Sequence, residues 1–214
     1  MRNRVSILSI IMLGFLMSAC EMTFPASYRS GEIIMADDFS SPNFQWDVWK
    51  REDNSTVAYY DDGLVFVINS PNTDYVSTVN SFYENTRMEV FAANLNGLMN
   101  NGFGLVCRYQ DDENYYAFLV SSDGYFGILR VLYGGFTVLN SGKMQYSDII
   151  RQGESINHIR ADCVGNQLTL YVNNNLLAQV EDDVFSEGLL GLTASSFEEP
   201  GVAILFDNFL VMNP

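Results

Sequence analysis

Histidine is almost missing from this chain: one residue, His158, in 214. Cysteine is scarce too, with three. Together they exclude a histidine-rich metal centre and leave a zinc ribbon short of ligands. Cations are few, 11 Lys and Arg against 26 Asp and Glu, a net charge of −15. No basic stripe exists to neutralise phosphates, which excludes nucleic acid as a partner. No apolar run reaches the ~20 residues of a membrane-crossing helix. From Glu32 onward no segment carries a helical period, and there is no internal repeat or low-complexity tract. Charged residues are only 17%, whereas hydrophobic residues are 48% and aromatics 14%. That composition builds a packed core rather than a disordered chain, and the length suits one sizeable domain.

The first residues read as an address. Arg2 and Arg4 precede an apolar run from Val5 to Met17, and Ser18 and Ala19 lead to Cys20. This is the layout of a secretory signal peptide over residues 1–19. Met17-Ser18-Ala19-Cys20 resembles the bacterial lipoprotein cleavage box, with Met where Leu is usual. The resemblance implies that Cys20 is lipidated and becomes the first mature residue, with residues 20–31 as a linker to a domain over 32–214. Removing residues 1–19 takes away two Arg and no acid, so the mature domain is more acidic still. An anionic membrane surface repels such a domain, and contact with the membrane is expected through the lipid alone.

The rest of the chain alternates short β-branched and aromatic runs with Gly, Asn and Asp. Runs such as 64–69, 102–109, 114–122, 125–132, 157–164, 167–173 and 202–212 are expected strands. Asp62-Gly63, Asp123-Gly124 and Gly165-Asn166 suit two-residue hairpin loops. Pairing Tyr109 with Asn114 and Ser122 with Tyr125 makes 103–132 a meander. Its core face then holds Phe103, Leu105, Cys107, Tyr116, Phe118, Val120, Leu129 and Val131. Arg108, Tyr115 and Arg130 fall together on the opposite face. In the hairpin 157–173, pairing Val164 with Gln167 turns Ile159, Ala161, Cys163, Leu168, Leu170 and Val172 inward. Cys107 and Cys163 therefore both face the core. In an exported chain they pair as a disulfide, or else pack as two buried thiols.

Several segments in order carry a family likeness: DDFS at 37–40, YYDDGLVFVI at 59–68, FGLVCRYQDDENYYAFLVSSDGYFGILR at 103–130, NHIRADCVGNQLTLYVNNNLLAQVED at 157–182, GLLGL at 188–192 and FDNFLV at 206–211. Over roughly residues 37–212 the chain resembles the concanavalin A-like jelly-roll superfamily. It is similar there to laminin-G-like and 3-keto-disaccharide hydrolase-type domains of bacterial exported proteins. The resemblance implies an all-β fold of two antiparallel sheets packed face to face. It also implies sugars as ligands, on the concave sheet or at the rim loops.

Catalysis finds little support in the residues. Glu181, Asp183 and Glu187 lack the spacing that sets two carboxyls on one strand face of a retaining glycosidase. His158 has no Gly-x-Ser-x-Gly elbow to serve. Sugar binding needs aromatic platforms beside hydrogen-bonding groups. Trp46 and Trp49, near Gln45, Asp47 and Lys50, either cap the sandwich or line such a groove. Arg108, Tyr115 and Arg130 form the other candidate site, where Arg would suit the carboxylates or sulfates of acidic glycans. Asp38 and Asp207 sit on the terminal strands, which jelly rolls place side by side, and are the candidate ligands of a structural Ca²⁺. Three readings follow: a lipid-anchored, non-catalytic carbohydrate-binding protein of the cell envelope, a hydrolase of the 3-keto-disaccharide type, or a surface module that binds a protein partner.

Overall fold

The computed structural model describes residues 30–42, 45–96 and 98–214; the signal peptide and Cys20 lie outside them. The described residues form strands and no helix. In chain order the strands are β1 (Ile33–Asp37), β2 (Trp49–Lys50), β3 (Thr56–Tyr60), β4 (Gly63–Ile68), β5 (Thr73–Tyr83), β6 (Thr86–Asn94), β7 (Asn101–Asp111) and β8 (Asn114–Val120). There follow β9 (Tyr125–Leu132), β10 (Gly135–Val138), β11 (Gln145–Tyr146), β12 (Asn157–Val164), β13 (Gln167–Val172), β14 (Asn175–Glu181), β15 (Gly188–Ser196) and β16 (Val202–Met212).

They build two antiparallel sheets. A nine-stranded sheet runs β14-β13-β12-β6-β16-β4-β3-β2, with β1 also on β16. A seven-stranded sheet runs β10-β9-β8-β7-β15-β5, with β11 on β9. Strand alternation directs one face of each inward, so Phe66, Met88, Ile159, Leu170 and Phe206 meet Phe103, Leu105, Phe118 and Leu192 in one core. The β12–β13 hairpin pairs Val164 with Gln167 and buries the inward set read from the sequence. Cys107 of β7 and Cys163 of β12 form a disulfide that ties one sheet to the other across this core.

The seven-stranded sheet also buries part of its outer face. Val106, Tyr115, Ala117, Leu119, Leu129 and Val138 form a second apolar cluster there, joined by Met144. Gly127 makes this possible. A Cβ at that position would run into Met144 Sδ and Val138 Cγ1, so the stretch from β10 to β11 lies against bare backbone.

Two register details depart from the sequence reading. The β8–β9 ladder pairs Val120 with Phe126 and Tyr115 with Val131, and Ser121 N–H closes it on the Tyr125 carbonyl. The loop is therefore three residues, Ser122-Asp123-Gly124, and the extra residue reverses the parity of β9. Leu129 and Val131 face outward, while Phe126, Ile128 and Arg130 lie on the core side. In β7 the expected register holds to Cys107 opposite Tyr116, then a bulge shifts it so that Asp111 meets Asn114. Arg108 sits in that bulge with φ 52°. The local kink turns its side chain inward.

Candidate functional site

Arg108 and Arg130, expected beside Tyr115 on an open face, are both withdrawn from it. Arg108 is 1% exposed, and its guanidinium donates to the carbonyls of Phe185 (2.8 Å), Glu84 (3.2 Å) and Gly165 (2.5 Å). Burial pulls its pKa below the ordinary value. Arg130 pairs with Asp182 at 2.6 Å. Asp182 also accepts from the Tyr116 hydroxyl and from Val184 N–H. These two arginines thus fasten the loop after β14 across one end of the sandwich. Asp182, in the acidic run Glu181-Asp182-Asp183, is the anchor of that closure.

Tyr115 does line a groove, with different neighbours. A cleft of about 730 Å³ on the outer side of the seven-stranded sheet is bordered by the 46–51 segment, β5, the start of β8 and the β9–β10 hairpin. Trp49 and Tyr75 meet edge to face at 4.5 Å, and the Arg51 guanidinium lies 4.8 Å and 4.9 Å from their ring centres. Tyr109 and Tyr115 are ring neighbours at 5.7 Å. Phe136, 71% exposed, projects from the hairpin at the opposite border. Trp46 borders the same cleft but is 4% exposed. Its ring packs on Phe39 and Phe209, and its indole N–H donates to Asp37 at 2.9 Å, so it caps the core. Trp49 belongs to the groove.

Three carboxylates complete the lining: Asp47, Asp74 and Asp112. Asp47 accepts from the Thr78 hydroxyl at 2.7 Å, and Asp112 accepts from the Tyr109 hydroxyl at 2.6 Å. Burial pushes the phenol of Tyr115 well up, and the charges of Asp74 and Asp112 push it further. The Tyr109 phenol is raised by burial first and then by its bond to Asp112. Arg51, Asp74, Tyr75, Tyr109, Asp112 and Phe136 were not singled out as site residues in the sequence. Asp112 hides in a turn run, and Asp74 and Tyr75 sit on a strand whose neighbour across the groove is a distant loop.

On the outer face of the other sheet, β1 and β16 do pair side by side. A hollow of about 380 Å³ there is lined by Asp37, Asp38, Glu89, Phe91, His158 and Asn208 among others. Asp38 is taken up by Ser40, which donates through both its N–H and its hydroxyl. Asp207 accepts from its neighbour Asn208 at 2.8 Å. Among the described residues no three His, Cys, Asp or Glu side chains cluster as a metal site. His158 lies 3.1 Å from Glu89 and against the Phe91 ring.

No protein-family model matches the chain, and no curated protein matches it. Solved structures do. The carbohydrate-binding module CBM66 from Bacillus subtilis superposes with a TM-score of 0.63 at 19% identity, over 79% of this chain and 96% of that one. The Bacillus licheniformis β-glucanase gives 0.61 at 12% identity, over 84% and 97%. The GH43 protein BlXynB from Bacillus licheniformis gives 0.63 at 14%, over 84% of this chain and 39% of that one. These likenesses concern the fold: the chain is a concanavalin A-like jelly-roll sandwich.

Proposed function

We propose that this protein is an exported, lipid-anchored carbohydrate-binding protein of the cell envelope, and that the groove holding Tyr115 receives the glycan. The observation that carries the reading is the groove's lining. The exposed ring of Phe136 and the half-buried rings of Trp49 and Tyr75 stand beside carboxylate and phenol oxygens. Sugar rings present apolar C–H faces and polar hydroxyl edges, and such a lining matches both. The size, about 730 Å³, falls within the range of small-ligand clefts.

Titration of the full chain with a panel of neutral and charged oligosaccharides tests the reading. Phe136→Ala should weaken binding by about fivefold, near 1 kcal/mol for one lost stacking face. Phe91→Ala, which removes an exposed ring from the other sheet, should leave binding unchanged. A folded protein that binds no glycan, or that ignores Phe136→Ala, refutes it.

A further inference from the structure

The carboxylates of the groove point to the ligand's charge, given that the groove is the glycan site. Asp47, Asp74 and Asp112 line it, and among the described residues none of them forms an ion pair. Their side-chain hydrogen bonds come from neutral hydroxyls: Thr78 to Asp47 and Tyr109 to Asp112. Asp74 has no side-chain hydrogen bond among the described residues. The cation of the groove, Arg51, rests over Trp49 and Tyr75 and is within ion-pair distance of no carboxylate among the described residues.

A second observation is independent of the acids. Tyr115 is 6% exposed and lines the groove, yet its hydroxyl has no hydrogen-bond partner among the described residues. That hydroxyl is open to the groove, where a ligand or water can meet it. The carboxylates are also too dispersed to act as one metal cage, since no three acidic, His or Cys groups cluster among the described residues. Dispersed negative charge suits several small cations strung along a chain better than one divalent ion.

We propose that the groove selects glycans bearing free, protonated amino groups, that is, hexosamine chains without their N-acetyl substituents. The ammonium groups sit against Asp74 and Asp112, and Tyr115 supplies a hydroxyl to the same sugar. The preference is the reverse of the one that Arg108 and Arg130 suggested in the sequence, because both guanidiniums are turned away from this face. It rests on the groove reading above and adds the ligand class.

The test is calorimetric titration of the full-length protein with three oligomers of equal length: glucosamine, N-acetylglucosamine and glucose. It is run at about pH 6, where amines are protonated, with and without a chelator. The free-amine oligomer should bind about tenfold tighter than its N-acetylated counterpart, as expected for one partly screened ion pair. Added salt should shrink the difference. Asp74→Asn and Asp112→Asn should each shrink the difference, lowering the free-amine oligomer's affinity more than the glucose oligomer's.

Equal or weaker binding of the amine oligomer overturns the proposal. The groove reading survives that result if the glucose oligomer binds and Phe136→Ala weakens it. A preference that persists in both Asp variants also overturns the proposal, since it reports only diffuse attraction to an acidic protein. Binding that disappears with chelator overturns it in favour of a metal bridge. If none of the oligomers binds, both readings fall together.

Discussion

Removing the bond between Cys107 and Cys163 should cost this domain a large part of its stability. The two cysteines are 56 residues apart in sequence, and the link joins opposite sheets. Closing a loop of that length in the unfolded chain is worth about 4 kcal/mol in the chain-entropy model. For a domain of this size each kcal/mol moves the midpoint by about 2–4 °C, so Cys107→Ala with Cys163→Ala should melt roughly 8–16 °C lower. The single variant Cys107→Ala should lose nearly as much, because the cross-link is gone in both. Thermal circular dichroism of the three proteins measures this. Both sulfurs are buried, so a reductant should reach them only when the molecule opens. Thiol appearance in the native protein should therefore follow the unfolding rate. A fall of less than about 3 °C would refute the loop argument. Rapid reduction of the folded protein would refute the burial argument.

Other substitutions and conditions test the remaining contacts. Burial holds the Tyr116 phenol up at about 12 and pushes Tyr109 and Tyr115 upward as well. The unfolded chain gives up these protons near pH 10 while the native one keeps them. Their contribution to stability is therefore complete below about pH 10 and is lost as pH rises through the folded-state values. Tyrosinate absorbance should show Tyr109, Tyr115 and Tyr116 ionising late, together with unfolding. A single step in a still-folded protein would contradict this. Gly104→Ala should destabilise by about 1–3 kcal/mol in urea unfolding, because its Cβ would overlap the Phe118 carbonyl oxygen across the β7–β8 ladder. Arg108→Lys keeps the charge, but a compact ammonium cannot serve three carbonyls. It should cost about 2–3 kcal/mol and speed hydrogen exchange around Phe185 with glycan affinity intact. Lost affinity at unchanged stability would return Arg108 to the binding site.

The sandwich was legible because burial writes itself into alternation. Ile159, Ala161, Cys163, Leu168, Leu170 and Val172 could sit on one face in only one register, and that register is observed. The site was less legible because its geometry depends on single-residue offsets. Asp123-Gly124 fits a two-residue loop as well as the three-residue loop that forms, and the difference exchanges the faces of β9. A bulge at Arg108 has no glycine to announce it; φ of 52° falls on an arginine that three carbonyls then hold. Asp62-Gly63 misled in the same way. Tyr60 pairs with Gly63, so the loop is Asp61-Asp62, both at positive φ. The groove acids, drawn from 47, 74 and 112, share no local pattern at all and meet only once the sheet is assembled.

The strip of chain that lies over Gly127 has a consequence for how long a polymer the molecule can hold. An uncovered sheet face would let a polysaccharide run across its whole width. Here Val138 and Met144 cover part of the face, and the Phe136 hairpin borders the groove that is left open. A bound chain must leave the surface after a short run of rings, whatever its total length. Under the proposed reading, contact per molecule is thereby capped, and grip on a long polymer would have to come from several copies acting along it.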